Sequence, residues 1–245
     1  MAGPYDGRVP ETLAPAPRTP VPTPPAAVLW DMDGTLVDTE PYWIRAEQEL
    51  VAEHGGTWSH EQALQLVGNA LTVSAAIVRD QGGVDLPLDE IVERLLGRVV
   101  EQVRERVPWQ PGALELLTAL ADAGVPCALV TMSYASFADE VVSRGPAGAF
   151  ATVVTGDQVT RGKPDPEPYL LAAERLGVDA AACVAIEDSP TGIASARAAG
   201  IATLGVEAVV PVPHLDGLSR AASLEKVDVP ILARIGAGEV VDLTS

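Results

Sequence analysis

Five short apolar runs, rich in β-branched residues, alternate along the chain with segments whose apolar residues have helical spacing. A short apolar run bounded by turn residues is typical of a buried strand, and strands that alternate with helices form a parallel sheet covered on both faces. The predicted strands span residues 26–30, 126–131, 150–155, 182–187 and 201–206. We therefore predict an α/β fold with a doubly wound parallel sheet.

Helix start and stop signals occur where this fold requires helices. Pro111 stands near the start of the segment QPGALELLTALADAG, and Gly124 follows its end. In SPTGIASARAAG, Ser189 is a candidate N-cap, Pro190 suits the first turn and Gly200 is the terminator. Proline in the first turn and glycine just past the end are typical of α-helices, so both segments are predicted to be helical.

The interval between the first two predicted strands, residues 41–108, is far longer than the roughly dozen residues that a crossover needs. Ser59 and Gln62 match a capping box, and an apolar stripe follows further along. The stripe comprises Ile91, Val92, Leu95, Leu96, Val99, Val100 and Val103. We predict an inserted α-helical subdomain at 41–108, with the core formed by 26–40 and 109–245.

The two ends of the chain show no residues with an evident chemical role. Residues 1–25 are rich in proline and alanine and lack periodicity, so we predict a disordered leader. Beyond residue 206 we expect a helix, a short edge strand and a final helix that complete the sheet.

A net charge of −18 and a hydrophobic share of 47% limit the classes of partner. The negative average field repels polyanions, so nucleic acid and anionic membrane surfaces are not expected partners. No apolar run reaches the ~18 residues of a transmembrane helix, and no signal peptide is evident. We expect a cytoplasmic protein, a monomer or weak homodimer, in which Cys127 and Cys183 are buried free thiols.

Candidate site residues, most of them polar, follow four of the predicted strands, at the edge where parallel α/β sheets bind ligands. These residues are Asp31, Asp33, Thr131, Met132, Ser133, Lys163, Glu187 and Asp188. Two like charges about 4 Å apart cost roughly 4 kcal/mol at an effective dielectric of about 20, so clustered carboxylates there require a cation. Oxygen ligands without histidine or cysteine select a hard ion, and a site that also accepts phosphate favours Mg²⁺.

Other phosphate and metal motifs do not match. An EF-hand loop that starts at Asp31 would need glycine at Leu36 and glutamate at Tyr42. A P-loop that ends at Lys163 would need serine or threonine at Pro164. The three histidines are scattered, and the chain has no Gly-x-Ser-x-Gly elbow.

Four stretches in sequence order, DMDGTLVDTE, VTMS, GKPDPEPY and IEDSPTGIASARAAG, resemble the signature motifs of the haloacid dehalogenase (HAD) superfamily. The resemblance covers residues 26–206 and is to the phosphatase and phosphomutase branch, which has a helical cap inserted after the first strand. It implies a Rossmann-like core, a Mg²⁺ cofactor and a small phosphorylated substrate.

The resemblance also implies roles for the acidic residues. Asp31 is the expected nucleophile, which forms an aspartyl-phosphate. Asp33 is the expected general acid and base. The expected Mg²⁺ ligands are Asp31, the backbone carbonyl of Asp33, and Asp188. Glu187 is expected to contact these ligands or their neighbours rather than the ion itself.

The transferring phosphoryl group has its own expected partners by the same resemblance. The side chains of Thr131 and Lys163 bind its oxygens, together with the backbone N–H groups of Met132 and Gly34. All four groups are hydrogen-bond donors that would stabilise the negative charge of a phosphoryl group.

Three residues bear on the choice between branches of the superfamily. Dehalogenases lack an aspartate at the position of Asp33, so dehalogenation is disfavoured. Mutases similar to β-phosphoglucomutase carry a histidine and an arginine where this chain has Trp43 and Leu71. The leading hypothesis is a phosphatase, and DTEPYW resembles hexose phosphate phosphatases; a sugar phosphomutase and a non-catalytic metabolite-binding regulator are the alternatives.

The inserted subdomain is expected to close over the catalytic edge. Hinges are predicted near residues 38–41 and 108–111, where the chain enters and leaves the insert. Arg45 and Arg79 are candidates for contacts with the substrate.

Overall fold

The computed structural model describes residues 23–244, in which parallel strands form one seven-stranded sheet of order β3-β2-β1-β4-β5-β6-β7. The strands are β1 (Val28–Trp30), β2 (Cys127–Val130), β3 (Thr152–Val154), β4 (Val184–Glu187), β5 (Ala202–Val206), β6 (Ser219–Ala221) and β7 (Asp242–Leu243). The first five lie within the predicted ranges, so the doubly wound α/β fold is confirmed. All but the last three residues of the predicted leader, 1–25, lie outside the described residues.

Helices cover both faces of this sheet. They are α1 (Glu40–Glu53), α2 (His60–Leu64), α3 (Leu71–Gly82), α4 (Leu88–Glu105), α5 (Ala113–Asp122), α6 (Ala135–Val142), α7 (Glu167–Leu176), α8 (Pro190–Ala198) and α9 (Val229–Gly236). Val28 and Trp30 pack with α5, α6 and α9, whereas Leu29 packs with α7 and α8. This alternation along β1 follows from the two-residue period of a strand. None of the helices within residues 23–244 combines the length and apolar content needed to cross a membrane.

Helices α1 to α4 occupy the long interval between β1 and β2. The predicted capping box begins α2: Gln62 N–H donates to Ser59 Oγ at 3.2 Å, and Ser59 N–H donates to Gln62 Oε1 at 3.0 Å. The predicted stripe lies on α4, where all its members are buried except the half-buried Val100. These four helices therefore bury an apolar face of their own beside the sheet.

The two segments that connect the insert to the core are bonded to each other. Asp38 N–H donates to the carbonyl of Pro108 at 2.7 Å, and Gln110 N–H donates to the carbonyl of Leu36 at 3.0 Å. The side chain of Gln110 also donates to the carbonyl of Gly34 at 2.7 Å. The base of the insert thus lies directly beside the turn that follows β1.

The expectation for the C-terminal region was wrong in its order of elements. Within the described residues, no helix lies between β5 and β6, and the chain ends with strand β7 rather than with a final helix. Pro211 and Pro213 explain the missing helix, because proline lacks the N–H that a helix interior needs. The one α-helix of this region, α9, starts at the cap Asp228, whose carboxylate accepts from Ile231 N–H at 2.8 Å.

The two cysteines lie on opposite sides of β1. Val28 is in register with Cys127 on one neighbouring strand and with Val184, which follows Cys183, on the other. Both thiols are free and buried, as expected from the sequence, and burial raises the pKa of each to about 11.

We expect both thiols to be unreactive in the folded protein. A thiol reagent at about pH 8 should modify neither cysteine of the native chain, because burial excludes the reagent and disfavours the thiolate. The same reagent should modify both after unfolding without a reductant. Rapid native modification, or fewer than two reactive thiols in the unfolded chain, would contradict this.

Candidate active site

The candidate site lies where the order of strands reverses along the chain. From β1 the chain proceeds outward to β2 and β3, and then returns to the other side of β1 to form β4 and β5. Loops at such a switch point diverge and leave a crevice beyond the carboxyl ends of the strands. Asp31, Thr131 and Asp188 follow the ends of β1, β2 and β4, so the fold brings them to this crevice.

The Lys163 ammonium lies at the centre of the site. Its Nζ donates to Asp31 Oδ1 at 2.5 Å, to Glu187 Oε1 at 2.6 Å and to the carbonyl of Val130 at 2.9 Å. The side chain is only 2% exposed. Burial lowers the pKa of this amine, but Asp31 and Glu187 outweigh that effect and hold the pKa above its ordinary range. Lys163 therefore stays a cation and uses all three of its donors.

Glu187 is fully occupied by hydrogen-bond donors. Besides Lys163, its Oε1 accepts from Tyr169 Oη at 2.7 Å, and its Oε2 accepts from Ser189 Oγ at 3.2 Å. A Cβ at Gly192 would lie 1.8 Å from Oε1, so glycine is required there for the carboxylate to fit. These contacts make Glu187 a positioning group for Lys163 rather than a free ligand.

Tyr169 was missed by the sequence reasoning although it lies in the quoted stretch GKPDPEPY. It is fully buried on α7, and burial together with Glu187 raises the pKa of its phenol. A tyrosine on the buried face of a helix usually has a hydrogen-bond partner for its hydroxyl, and this was the available signal.

Asp31 and Asp188 each have one unpaired oxygen. Within the described residues, no donor reaches Oδ2 of either carboxylate, although both atoms are buried. Burial and then Glu187 raise the pKa of Asp31 to about 8, and burial and then Asp31 raise the pKa of Asp188 well above its usual range. Oxygens of Asp31, Glu187 and Asp188 all lie within 4.8 Å of one another. The unpaired oxygens of Asp31 and Asp188 fit a divalent cation, whereas both oxygens of Glu187 already accept hydrogen bonds.

Gly34 lets the turn after β1 pass close to this cluster. Its φ is +90°, which favours glycine, and a Cβ at this position would lie 2.1 Å from Asp188 Oδ2. Its N–H donates to the carbonyl of Val37 at 2.8 Å. The expected contact of this N–H with a phosphoryl oxygen stays a prediction, as does that of Met132, whose sulfur accepts from Lys163 N–H at 3.2 Å.

Asp33 points to a different set of partners. Its Oδ1 accepts from Thr39 Oγ1 at 2.6 Å and from Trp43 Nε1 at 3.0 Å. Its Oδ2 accepts from Ser133 Oγ at 2.8 Å and from Thr131 Oγ1 at 3.3 Å. The side chain is therefore held at the boundary between the sheet and the insert. Sequence reasoning noted Trp43 and Ser133 without identifying either as a partner of Asp33.

A cavity of about 60 Å³, partly open to solvent, lies between the sheet edge and the insert. Asp31, Asp33 and Lys163 line it on the sheet side, and Glu40 and Glu47 line it from α1. Sequence reasoning missed both glutamates. The available signal was their seven-residue spacing, which places them on one face of the helix.

The two glutamates differ in their partners. Trp58 Nε1 donates to Glu47 Oε2 at 2.9 Å. Burial raises the pKa of Glu47 to about 8 against the effect of this hydrogen bond. Burial, then the nearby Asp33 and Glu47, raise the pKa of Glu40 to about 8.

The insert also contacts the core through two further hydrogen bonds. Thr191 Oγ1 donates to the carbonyl of Gly68 at 3.2 Å, and Arg104 Nε donates to Glu140 Oε1 at 2.8 Å. The expectation that Arg45 or Arg79 reaches the substrate finds no support in this geometry. Both are exposed residues paired with neighbours on their own helices, Glu49 at 2.8 Å and Asp80 at 2.9 Å, and neither lines the cavity.

Comparison with known proteins gives one family and several related enzymes. Residues 28–206 match the family model of haloacid dehalogenase-like hydrolases. The chain is 31% identical to hexitol phosphatase B of Escherichia coli over 194 residues, 77% of this chain and 84% of that enzyme. It is 38% identical to the N-acetylmuramic acid 6-phosphate phosphatase of Pseudomonas aeruginosa over 188 residues, 74% of this chain and 80% of that enzyme. The chain spans only half the length of another relative, the bifunctional riboflavin kinase/FMN phosphatase of Arabidopsis thaliana, at 30% identity over 192 residues, 78% of this chain.

Solved structures agree with the fold. CbbY from Rhodobacter sphaeroides in complex with phosphate superposes with a TM-score of 0.75 at 26% identity, covering 82% of this chain and 96% of that one. A putative β-phosphoglucomutase from Thermotoga maritima gives a TM-score of 0.64 at 30% identity, with 84% and 96% coverage.

We expect replacement of Glu47 by glutamine to flatten the pH dependence of stability. A carboxyl whose pKa rises from 4.5 to about 8 on folding stabilises the fold at low pH, and this contribution is lost as pH rises through that interval. Glutamine stays neutral. The midpoint of thermal unfolding of the original protein should therefore fall more steeply over this interval than that of Glu47→Gln, by about 2–4 °C per kcal/mol lost.

The matched control is Glu49→Gln, which removes an exposed carboxylate from the same helix. The midpoint of thermal unfolding of Glu49→Gln should change with pH in the same way as that of the original protein. Parallel curves for all three proteins would contradict the burial of an ionisable Glu47.

Proposed function

This chain belongs to the haloacid dehalogenase-like hydrolase family and is a phosphoric monoester hydrolase, and from that premise we propose that it is a Mg²⁺-dependent phosphatase. Its proposed substrate is a small sugar phosphate, and its proposed intermediate is an aspartyl-phosphate on Asp31. The observation that carries the proposal is the pair of buried, unpaired oxygens on Asp31 and Asp188 beside the ammonium of Lys163. A hard cation and a phosphoryl anion together satisfy such a set of charges.

Asp31 would attack phosphorus in the first step. One of its carboxylate oxygens forms a bond to phosphorus, and the bond between phosphorus and the sugar oxygen breaks, with its electron pair passing to that oxygen. Lys163 holds the other side of the carboxylate and keeps positive charge next to the phosphoryl oxygens. Mg²⁺, held by Asp31, Asp188 and the backbone carbonyl of Asp33, would supply further positive charge to the same oxygens.

Asp33 would transfer the protons. In its acid form it gives a proton to the leaving sugar oxygen, and the resulting carboxylate then removes a proton from the water that attacks phosphorus. This second attack releases phosphate and restores Asp31. Of the donors that hold Asp33, Trp43 lies in the insert and Thr39 just before it, so movement of the insert would also change the hydrogen bonds of Asp33.

The inserted helices would act as a movable cap. A cavity of about 60 Å³ is far smaller than the roughly 300–1,000 Å³ of usual ligand pockets, so a sugar phosphate requires a more open state. We propose that residues 41–108 move relative to the core of 26–40 and 109–245. The bonded segments at the base of the insert, near Asp38 and Pro108, are the proposed hinge. Closure would exclude water from the reacting groups.

A phosphatase is favoured over a mutase by the lining of the cavity. A mutase retains a sugar bisphosphate and must bind a second phosphate away from Asp31. The positions where related mutases carry a histidine and an arginine are Trp43 and Leu71, and both line the cavity. Neither side chain carries the positive charge that would bind a second phosphate. The indole N–H of Trp43 already donates to Asp33, and Leu71 has no donor. A non-catalytic regulator is less favoured, because the expected catalytic groups of Asp31, Asp33 and Lys163 all line one cavity.

We expect Asp33→Asn to accumulate a phosphorylated enzyme. With p-nitrophenyl phosphate, whose leaving group is a stable anion, the first step needs little help from an acid, whereas release of phosphate still needs a base. Acid-quenched Asp33→Asn should gain the mass of one phosphoryl group on Asp31. Its hydrolysis of a sugar phosphate should fall about 10²–10⁴-fold, the usual contribution of general acid–base catalysis.

Asp31→Asn is the control for this experiment. It should show neither phosphate release nor a mass increase, and chelation of Mg²⁺ should abolish the activity of the original protein. Equal activity of Asp31→Asn and the original protein would contradict the assignment of Asp31 as the nucleophile.

A further inference from the structure

The wall of the cavity formed by the insert is acidic and buried. Glu40 and Glu47 are 7% and 4% exposed and lie two turns apart on one face of α1. Trp58 Nε1 holds one oxygen of Glu47. The Glu40 carboxylate has no hydrogen-bond donor within residues 23–244, although it is more than nine-tenths buried beside the cavity. Buried polar groups normally have partners, so this carboxylate points to a ligand.

An independent observation on the neighbouring helix points the same way. Ser74 on α3 is 6% exposed and lines the same cavity, and its hydroxyl has no hydrogen-bond partner in the part of the chain that the structure describes. A hydroxyl can both donate and accept. Together with the two glutamates it offers a set of groups that matches the hydroxyls of a sugar or polyol chain.

No positive charge is available for a second anion. Lys163 is the one cationic residue among those described that line the cavity, and its three donors are used by Asp31, Glu187 and the carbonyl of Val130. It also lies on the sheet side, with Asp31. An anionic group that reached α1 would lose its hydration and face two carboxyl groups without a counter-ion.

We propose, on the basis of the proposed function, that Glu40, Glu47 and Ser74 select a substrate whose end remote from the phosphate is a neutral polyhydroxyl chain. Carboxyl oxygens accept hydrogen bonds from its hydroxyls, and Ser74 adds one further contact. The same wall rejects monophosphates that carry a carboxylate or a second phosphate at that end. Burial without a counter-ion disfavours an anion at neutral pH, and repulsion by like charge adds to this once the carboxyls ionise.

The substrates that test this differ only in the charge of the remote end. Glucitol 6-phosphate and 6-phosphogluconate share one carbon chain, and only the second has a carboxylate. Fructose 6-phosphate and fructose 1,6-bisphosphate form a second pair. The original protein should favour the neutral member of each pair by about 10²-fold or more in kcat/KM, because an anionic end would lose its hydration beside α1 without gaining a cation.

Two variants test the residues themselves. Assayed at about pH 9, where both carboxyls are ionised, Glu47→Gln and Glu40→Gln should each reduce the preference for the neutral substrate about 10-fold, mainly through the KM of the anionic substrate. Either variant suffices if the other does not fold. Glu49→Gln, which removes an exposed charge from the same helix, should keep the original preference.

The outcomes separate this inference from the proposed function. Release of phosphate from p-nitrophenyl phosphate, combined with equal kcat/KM for charged and neutral partners, would overturn the selectivity alone. Unchanged preference in both glutamine variants would likewise overturn it. Absence of any Mg²⁺-dependent phosphate release would overturn the proposed function instead.

Discussion

Repulsion between buried carboxylates is the constraint on which the rest of this structure depends. Asp31, Glu187 and Asp188 offer oxygens within 4.8 Å of one another in a crevice that excludes most of the solvent. Lys163 supplies one positive charge and pairs with Asp31 and Glu187, but not with Asp188. One ammonium cannot balance three carboxylates, so a further cation or a set of bound protons is required. The raised pKa values of Asp31 and Asp188 express the same imbalance.

The surrounding fold supports this arrangement at several points. Gly34 and Gly192 leave space for the carboxylates of Asp188 and Glu187, where any side chain would collide with them. Tyr169 fills the back of the site and donates to Glu187, which keeps that carboxylate aligned on Lys163. The insert brings Trp43 over the crevice, where its indole donates to Asp33. The charged cluster, the backbone turn and the cap therefore form one connected set of contacts.

Much of the fold and part of the site could be predicted from local sequence patterns. The five apolar runs predicted strands because β-branched residues and flanking turn residues favour a strand through local interactions. The parallel sheet then places the residues after β1, β2 and β4 at one edge. The prediction of a helix directly after β5 was wrong because Pro211 and Pro213 lack the backbone N–H that a helix interior needs. The spacing of Glu40 and Glu47 indicates that they share one face of α1, but whether that face lines the cavity depends on how the inserted helices pack against the core. The role of Tyr169 could not be predicted, because the sequence does not show that its hydroxyl faces the carboxylate of Glu187.

The most direct test of this account is calorimetric titration of the metal-free protein with Mg²⁺, with the thermal unfolding midpoint recorded in parallel. The account predicts one site, an unfolding midpoint that rises with Mg²⁺ concentration, and loss of both effects in Asp188→Asn, since a ligand that binds only the folded state stabilises it. Binding that is absent in the original protein, or equally strong in Asp188→Asn, would contradict it.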